Sequence, residues 1–131
     1  MAPGAVQLLE FCRGQALALA IVTNNTSRNT EFLIRAHALG SFDAVLTRDS
    51  GFYKPSGAPL VECARRLGVS VGELMMVGDS DYDLRAAREA DYRWRVLISA
   101  DPERRLEPRE LRVADLFGLG IFLRKLIDGR R

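Results

Sequence analysis

The sequence predicts an α/β fold, a parallel sheet with helices packed on both faces in three layers. Three observations predict it. Short apolar runs recur along the chain: LALAIV at 17–22, AVL at 44–46, LMMV at 74–77 and WRVLI at 94–98. Runs of this kind, without strict polar alternation, suit strands buried on both sides, as in a parallel sheet. Between them lie stretches of helical periodicity, and strand–helix–strand order of this kind means helices on the faces of a parallel sheet.

Each element has a local reason. Residues 5–13 read as a short helix, with Val6, Leu8, Leu9 and Cys12 available for one face. The run 17–22 is the first strand. Asn24, Asn25, Thr26 and Ser27 supply capping chemistry for a helix reaching about Leu39, closed by Gly40. Residues 44–46 form a second strand, and 47–56 a polar loop containing Gly51, Lys54 and Pro55. Pro59 suits the first turn of a third helix, which runs to about Leu67 and stops at Gly68. The run 74–77 is the third strand, residues 82–90 the next helix, and 94–98 the fourth strand. Residues 100–110 are charged and hold two prolines, so a surface loop is expected. A final helix is expected over 113–127, weakened by Gly118 and Gly120 by about 1 kcal/mol each relative to alanine.

Composition narrows the class. The chain has 131 residues, 47% of them hydrophobic and 27% charged, which suits one soluble domain. We expect a single unit over 1–131, with a motif-bearing core at 1–99 and a loop and helix at 100–131. A formal net charge of +2 is too small to imply nucleic acid or an anionic membrane. The arginines of the second half are interspersed with acids and read as a solvated surface. No apolar run reaches membrane-spanning length. MAPGAVQLLEF has no basic leader before an apolar stretch, so no signal peptide is expected and the cytoplasm is the expected location. Cys12 and Cys63 match no metal spacing and read as buried, reduced fillers.

The polar residues of interest follow strand ends, the edge at which open α/β sheets bind ligands. Thr23 and Asn24 stand between a strand and a helix start, where free backbone N–H groups favour an anion. Lys54, in the loop after the second strand, adds a positive charge suited to a phosphate oxygen. Asp79 and Asp83 are hard oxygen donors of the kind Mg²⁺ takes. Asp81 reads as a helix-start acid favoured by the helix dipole. Together the set implies a phosphorylated ligand with Mg²⁺. His37 and Arg28 read as ordinary helix residues, and Phe52 and Tyr53 either line the site or close its loop.

The ordered stretches VTNN (22–25), KP (54–55) and GDSDYD (78–83) resemble motifs two, three and four of the haloacid dehalogenase (HAD) superfamily. The likeness is nearest to phosphoglycolate-phosphatase-like members, and PGAVQLLEF resembles the segment that follows their cap. The resemblance runs from Pro3 to about Ser99. It implies a Rossmann-like core and a Mg²⁺-dependent phosphatase acting on a small phosphorylated metabolite. Thr23 and the Asn24 backbone would hold the phosphoryl group, Lys54 would neutralise it, and Asp79 would bind Mg²⁺ with support from Asp83.

One part of the family pattern is missing. Its first motif, an Asp-x-Asp after an earlier strand, supplies the nucleophile and the general acid–base. Residues 1–16 hold no aspartate, and the only Asp-x-Asp patterns overlap within 79–83. The resemblance therefore implies a core incomplete at its N-terminus, lacking the cap and inactive or very weak by itself. In the family the absent strand lies between those ending at Thr23 and Asp79. Its absence would leave two strand edges open to self-association or to a complementing segment. Three explanations stand: a truncated product with the nucleophile encoded upstream, a site completed by another piece or a second copy, or a non-catalytic remnant. The first is favoured. A binding module using these edges and FGLGIFL (117–123) is the competing function. A response-regulator receiver is a poor fit, because its acids come first and its lysine last. A dinucleotide fold lacks its Gly-x-Gly-x-x-Gly.

Overall fold

The computed structural model describes residues 3–51 and 56–129. Five helices and five strands are seen among them: α1 (Ala5–Gly14), β1 (Ala20–Val22), α2 (Ser27–Ala36), β2 (Ala44–Leu46), α3 (Ala58–Leu67), β3 (Met75–Gly78), α4 (Asp81–Glu89), β4 (Trp94–Ile98), β5 (Glu110–Val113) and α5 (Leu116–Asp128). All strand pairs are parallel. They form two separate sheets, β1–β2 and β3–β4–β5. The α/β class is as the sequence predicts.

The helix boundaries follow local chemistry. Thr26 caps α2, its side chain accepting from the Asn29 N–H. The helix ends earlier than Leu39, at Ala36, because Ala38 takes a left-handed conformation and the Leu39 N–H returns to the Ile34 carbonyl. Gly40 is also left-handed, and a side chain there would press on the Arg13 guanidinium. That guanidinium donates to the Leu39 and Ser41 carbonyls at 2.6 and 2.8 Å, tying α1 to the end of α2. Gly68 closes α3 in the left-handed conformation, as expected.

Three further expectations need correction. The first strand is half the length expected: only Ala20–Val22 pairs, because left-handed Ala16 turns the chain and the Leu17 N–H binds the Cys12 carbonyl at 3.1 Å. The segment 100–110 is not all loop. Glu110 opens β5, which runs to Val113 and pairs with β4 in the register Arg95↔Glu110. The last helix then begins at Leu116 rather than Val113, with Asp115 as its cap, accepting from the Gly118 N–H at 2.8 Å. Within 117–123, Leu119 is buried while Phe117 and Ile121 are exposed.

One helix joins the two sheets. Helix α3 packs on β1, β2 and α4, while α4 packs on β3 and β4. Leu60 of α3 lies in a cluster with Met76, Ala86, Ala87, Ala90 and Tyr92, and Val22 of β1 packs against it. A second cluster holds Ala44, Leu46 and Cys63, and Val22 touches that one as well. The Tyr92 hydroxyl donates to the Leu60 carbonyl at 2.7 Å, and burial pushes its pKa up. Gly57, just before α3, has the Ala90 backbone so close that a Cβ would sit 2.8 Å from the Ala90 nitrogen. Cys12 and Cys63 are free and buried, and burial raises both thiols.

Strand β5 is held by a buried charge. The Glu110 carboxylate receives the Arg88 guanidinium in two hydrogen bonds, at 2.5 and 2.7 Å, with Arg95 3.9 Å away. Burial alone would raise the Glu110 pKa; the Arg88 hydrogen bonds and charge outweigh it and hold it below the usual glutamate range.

Two outcomes follow for stability. Leu60→Ala should cost about 2–5 kcal/mol in a denaturant titration, since it empties the cluster shared by both sheets. Glu110 has a depressed native pKa, so its stabilising contribution is present above the unfolded value, near pH 4.3, and lost as pH falls through the native value. Glu110→Gln should therefore lower stability at pH 7 by about 3 kcal/mol, with the difference from the parent shrinking in acid. A gap that stays constant with pH would show that the pair is not ionised in the native state.

Candidate active site

Asp79 directly follows the C-terminal end of β3, and the turn into α4 is built around one carboxylate. Oδ2 of Asp83 accepts the N–H groups of Asp79 and Ser80, at 3.1 and 3.3 Å, and the Ser80 hydroxyl at 3.1 Å. The Asp83 N–H in turn donates to Ser80 Oγ at 3.3 Å. This is a reciprocal cap, with Ser80 as N-cap and Asp83 three residues on. Asp83 is buried, whereas Asp79 is exposed at the end of the strand.

Only glycine fits before Asp79. A Cβ on Gly78 would stand 2.3 Å from the Asp83 Cβ and 2.4 Å from its carboxylate oxygen. The close approach lets the carboxylate reach the backbone N–H groups that set the direction of Asp79. Asp81, in the first turn of α4, forms an ion pair with Arg104 of the segment after β4. It is a helix-start acid, as the sequence suggests, and its pairing with Arg104 holds that segment near the strand ends.

Thr23 follows β1. Its N–H donates to the Leu46 carbonyl at 3.0 Å, and its Oγ1 accepts the Asn25 N–H at 3.1 Å. The turn is then tied to the loop after β2. The Arg48 N–H donates to the Asn25 carbonyl at 2.8 Å, Ser27 and Thr47 share a hydroxyl contact of 2.6 Å, and the Ser27 N–H donates to Asp49 at 2.7 Å. That backbone hydrogen bond, with the Ser27 hydroxyl behind it, holds the Asp49 carboxyl below its ordinary pKa. Asn24 is exposed on the same turn. Lys54, with Phe52 and Tyr53, lies outside the described residues, which resume at Ser56.

Thr23 and Asp79 thus each follow the C-terminal end of a parallel strand. Their strands, β1 and β3, are packed on the shared cluster around Leu60. The Asp79 carboxylate has no hydrogen bond or ion pair to any described residue among those resolved, and none of the described residues forms a group of three or more metal-type donors. Asp79 is therefore the exposed carboxylate of the pair, and Asp83 the one that accepts from the backbone. The sequence reading passed over Ser80 and Gly78. The Ser-x-x-Asp spacing of a capping box was the available signal for Ser80, while the need for Gly78 follows from contact with a side chain five residues on. His37 closes α2 and Arg28 is exposed on it, as expected of ordinary helix residues. No described helix is long and apolar enough to cross a membrane.

Comparison with known proteins places this arrangement. A family model described as haloacid dehalogenase-like hydrolase matches residues 1–91. A phosphoglycolate phosphatase of Chromobacterium violaceum is 37% identical over 90 residues, covering 67% of this chain and 40% of that protein. An uncharacterized hydrolase of Saccharomyces cerevisiae, YOR131C, is 30% identical over 91 residues, covering 67% of this chain and 42% of its own length. Among solved structures, a HAD phosphatase from Thermococcus onnurineus superposes with a TM-score of 0.81 at 30% identity, covering 92% of this chain and 57% of that one. The chain spans about two fifths of the length of the curated relatives it matches.

Gly78→Ala should lower stability by about 1–3 kcal/mol, because the new methyl overlaps Asp83 and one of them must move. Ser80→Ala removes a cap and should cost about 1 kcal/mol. A thermal melt compares the two; a neutral Gly78→Ala would mean that α4 can shift away from β3 without loss.

Proposed function

The chain belongs to the haloacid dehalogenase-like hydrolase family, and from that membership we propose that it is the partial catalytic core of a Mg²⁺-dependent phosphomonoester hydrolase, of the phosphoglycolate-phosphatase kind. Its substrate class is a small phosphorylated metabolite and its place of action the cytoplasm. The observation that carries the reading is the pairing of ends: a threonine hydroxyl in the turn after β1, and an exposed carboxylate after β3.

The roles follow from the chemistry of each group. The Thr23 hydroxyl and the turn beginning at Asn24 suit phosphoryl oxygens, because donors at a helix start favour an anion. Lys54 would add a fixed positive charge. Asp79 fits Mg²⁺, which takes one or two carboxylates and fills its octahedron with water and phosphate. The cation would supply charge neutralisation at the phosphoryl group. Asp83 supports the site by orienting the Asp79 and Ser80 backbone through its Oδ2. The reading assigns no nucleophile within these residues, so phosphate binding, rather than turnover, is the property it attributes to them.

A second reading is a non-catalytic module that keeps the fold and binds a partner. The exposure of Phe117 and Ile121, neighbours along one side of α5, favours it.

Calorimetric titration with inorganic phosphate, with Mg²⁺ and with chelator, separates the two. We expect Mg²⁺-dependent phosphate binding that Asp79→Asn weakens by at least about tenfold, the loss that even an outer partner of a bound metal causes. Asp128→Asn, on the exposed end of α5, should change nothing. Phosphate binding that ignores both the metal and Asp79, or no binding at all, sinks the enzymatic reading. Metal-dependent release of phosphate from monoesters, abolished by Asp79→Asn, would instead show that a nucleophile is present after all.

A further inference from the structure

The edge of the three-stranded sheet opposite Asp79 holds a groove. Its volume is about 640 Å³, and Val71, Gly72, Arg93, Trp94, Arg109 and Leu111 line it. That lies within the roughly 300–1,000 Å³ of ordinary small-ligand pockets. Trp94 is the first residue of β4 and is paired in register with Met75, the first of β3, while Arg109 immediately precedes β5. The groove thus opens at the N-terminal ends of these strands. Asp79 follows the C-terminal end of β3, and its four residues put about 13 Å between the two places.

The groove is built in layers. The Phe122 ring of α5 meets the Trp94 ring edge-on, with centroids 6.2 Å apart. The Arg93 guanidinium lies over the same indole, 5.2 Å from its centroid, and the Arg93 N–H donates to the Val71 carbonyl at 3.4 Å. Arg93 is exposed. A guanidinium laid on an indole presents a flat, positively charged face. The ion pairs nearby belong to other arginines: Arg88 and Arg95 with Glu110, and Arg95 with Asp91 at 3.7 Å. Asp91 is the one acid in the lining, and Arg95 offsets its charge. Among the described residues neither Arg93 nor Arg109 meets a carboxylate.

Arg109 stands where the backbone favours another residue. Pro108 and Arg109 form the middle of a turn closed by the Glu110 N–H on the Glu107 carbonyl at 3.1 Å, and Arg109 is left-handed, with φ 74°. Proline followed by a left-handed third residue is the pattern of a type II turn, whose third position is ordinarily glycine. An arginine is held there against that preference, exposed, on the lining of a groove. Backbone strain kept at such a place motivates a ligand.

We propose that this groove is a second ligand site, for a planar aromatic anion. The ring of the ligand stacks on the Arg93–Trp94 layer, its charge meets Arg109, and Val71 and Leu111 cover its apolar edge. Phe122 keeps the indole in place from the other side of the sheet margin. The chemistry is shared by nucleotides, which carry phosphate on an aromatic base, and by aromatic carboxylates. The site uses none of the residues around Asp79 and needs no metal.

Trp94 is the only tryptophan of the chain, so its fluorescence reports on this groove. The full chain is titrated with adenosine 5′-monophosphate and, separately, with phthalate, in chelator and in Mg²⁺. Adenosine supplies the ring without the charge, and ribose 5-phosphate the charge without the ring. We expect a saturable change in Trp94 emission with the nucleotide, with phthalate or with both, alike in chelator and in Mg²⁺. A response to the nucleotide alone identifies a nucleotide site, and to phthalate alone an aromatic carboxylate site. Arg93→Gln and Arg109→Gly should each weaken binding about tenfold, the worth of one charge-assisted hydrogen bond. Arg109→Gly should at the same time leave the melting temperature unchanged or raise it, because glycine accepts the left-handed turn. Five results would overturn the proposal. They are no saturable change with either probe, full-strength binding of adenosine or ribose 5-phosphate, and a requirement for Mg²⁺, which would move the ligand to the Asp79 edge. The others are undiminished binding in either arginine variant, and a lower melting temperature for Arg109→Gly, which would make that residue structural.

Discussion

The contact of α3 with both sheets is the constraint on which the rest of this structure depends. Parallel strands of three to five residues cannot stand alone, and among the described residues no strand ladder connects β1–β2 to β3–β4–β5. What holds them is apolar packing through Leu60, supported by the Tyr92 hydroxyl on the Leu60 carbonyl and by the close seat of Gly57 against Ala90. Hydrophobic contact is non-directional, so it can hold the two sheets together without a ladder between them. The same packing sets β1 and β3, the strands that Thr23 and Asp79 follow, against one shared cluster.

At the site itself the directional interactions take over. Asp83 spends one oxygen on three donors and gives α4 its start, and Gly78 is small enough to admit it. The result is a division between two acids four residues apart. One is buried and bonded to the backbone, the other exposed. On the β1 side, Thr23 closes its own turn while Ser27, Thr47 and Asp49 lash that turn to the next loop. Both turns are thus anchored by short local hydrogen bonds.

Strand β5 shows how tertiary pairing can reverse a local signal. ELRV reads as a charged loop after a stretch rich in arginine and proline. In the fold Glu110 is buried because Arg88 and Arg95, from α4 and β4, converge on it. A buried charge stripped of such partners would be prohibitive, and no pattern within residues 100–113 announces them. The shortened first strand has the opposite cause. LALAIV is apolar enough to pair throughout, but the end of α1 captures Leu17 before the sheet can.

The sequence by itself determined the α/β class, nearly every helix and strand from 5 to 98, and the chemical character of Thr23, Asn24, Lys54, Asp79 and Asp83. These rest on short-range physics: apolar periodicity, capping side chains, and glycine and proline at turns. Only the tertiary structure decided which of the two aspartates is exposed, that Gly78 must be bare, that β5 exists, and that α3 bridges the sheets. Those outcomes depend on contacts between groups distant in the chain, or on side-chain direction within a turn, and neither is written in a local pattern of residue types.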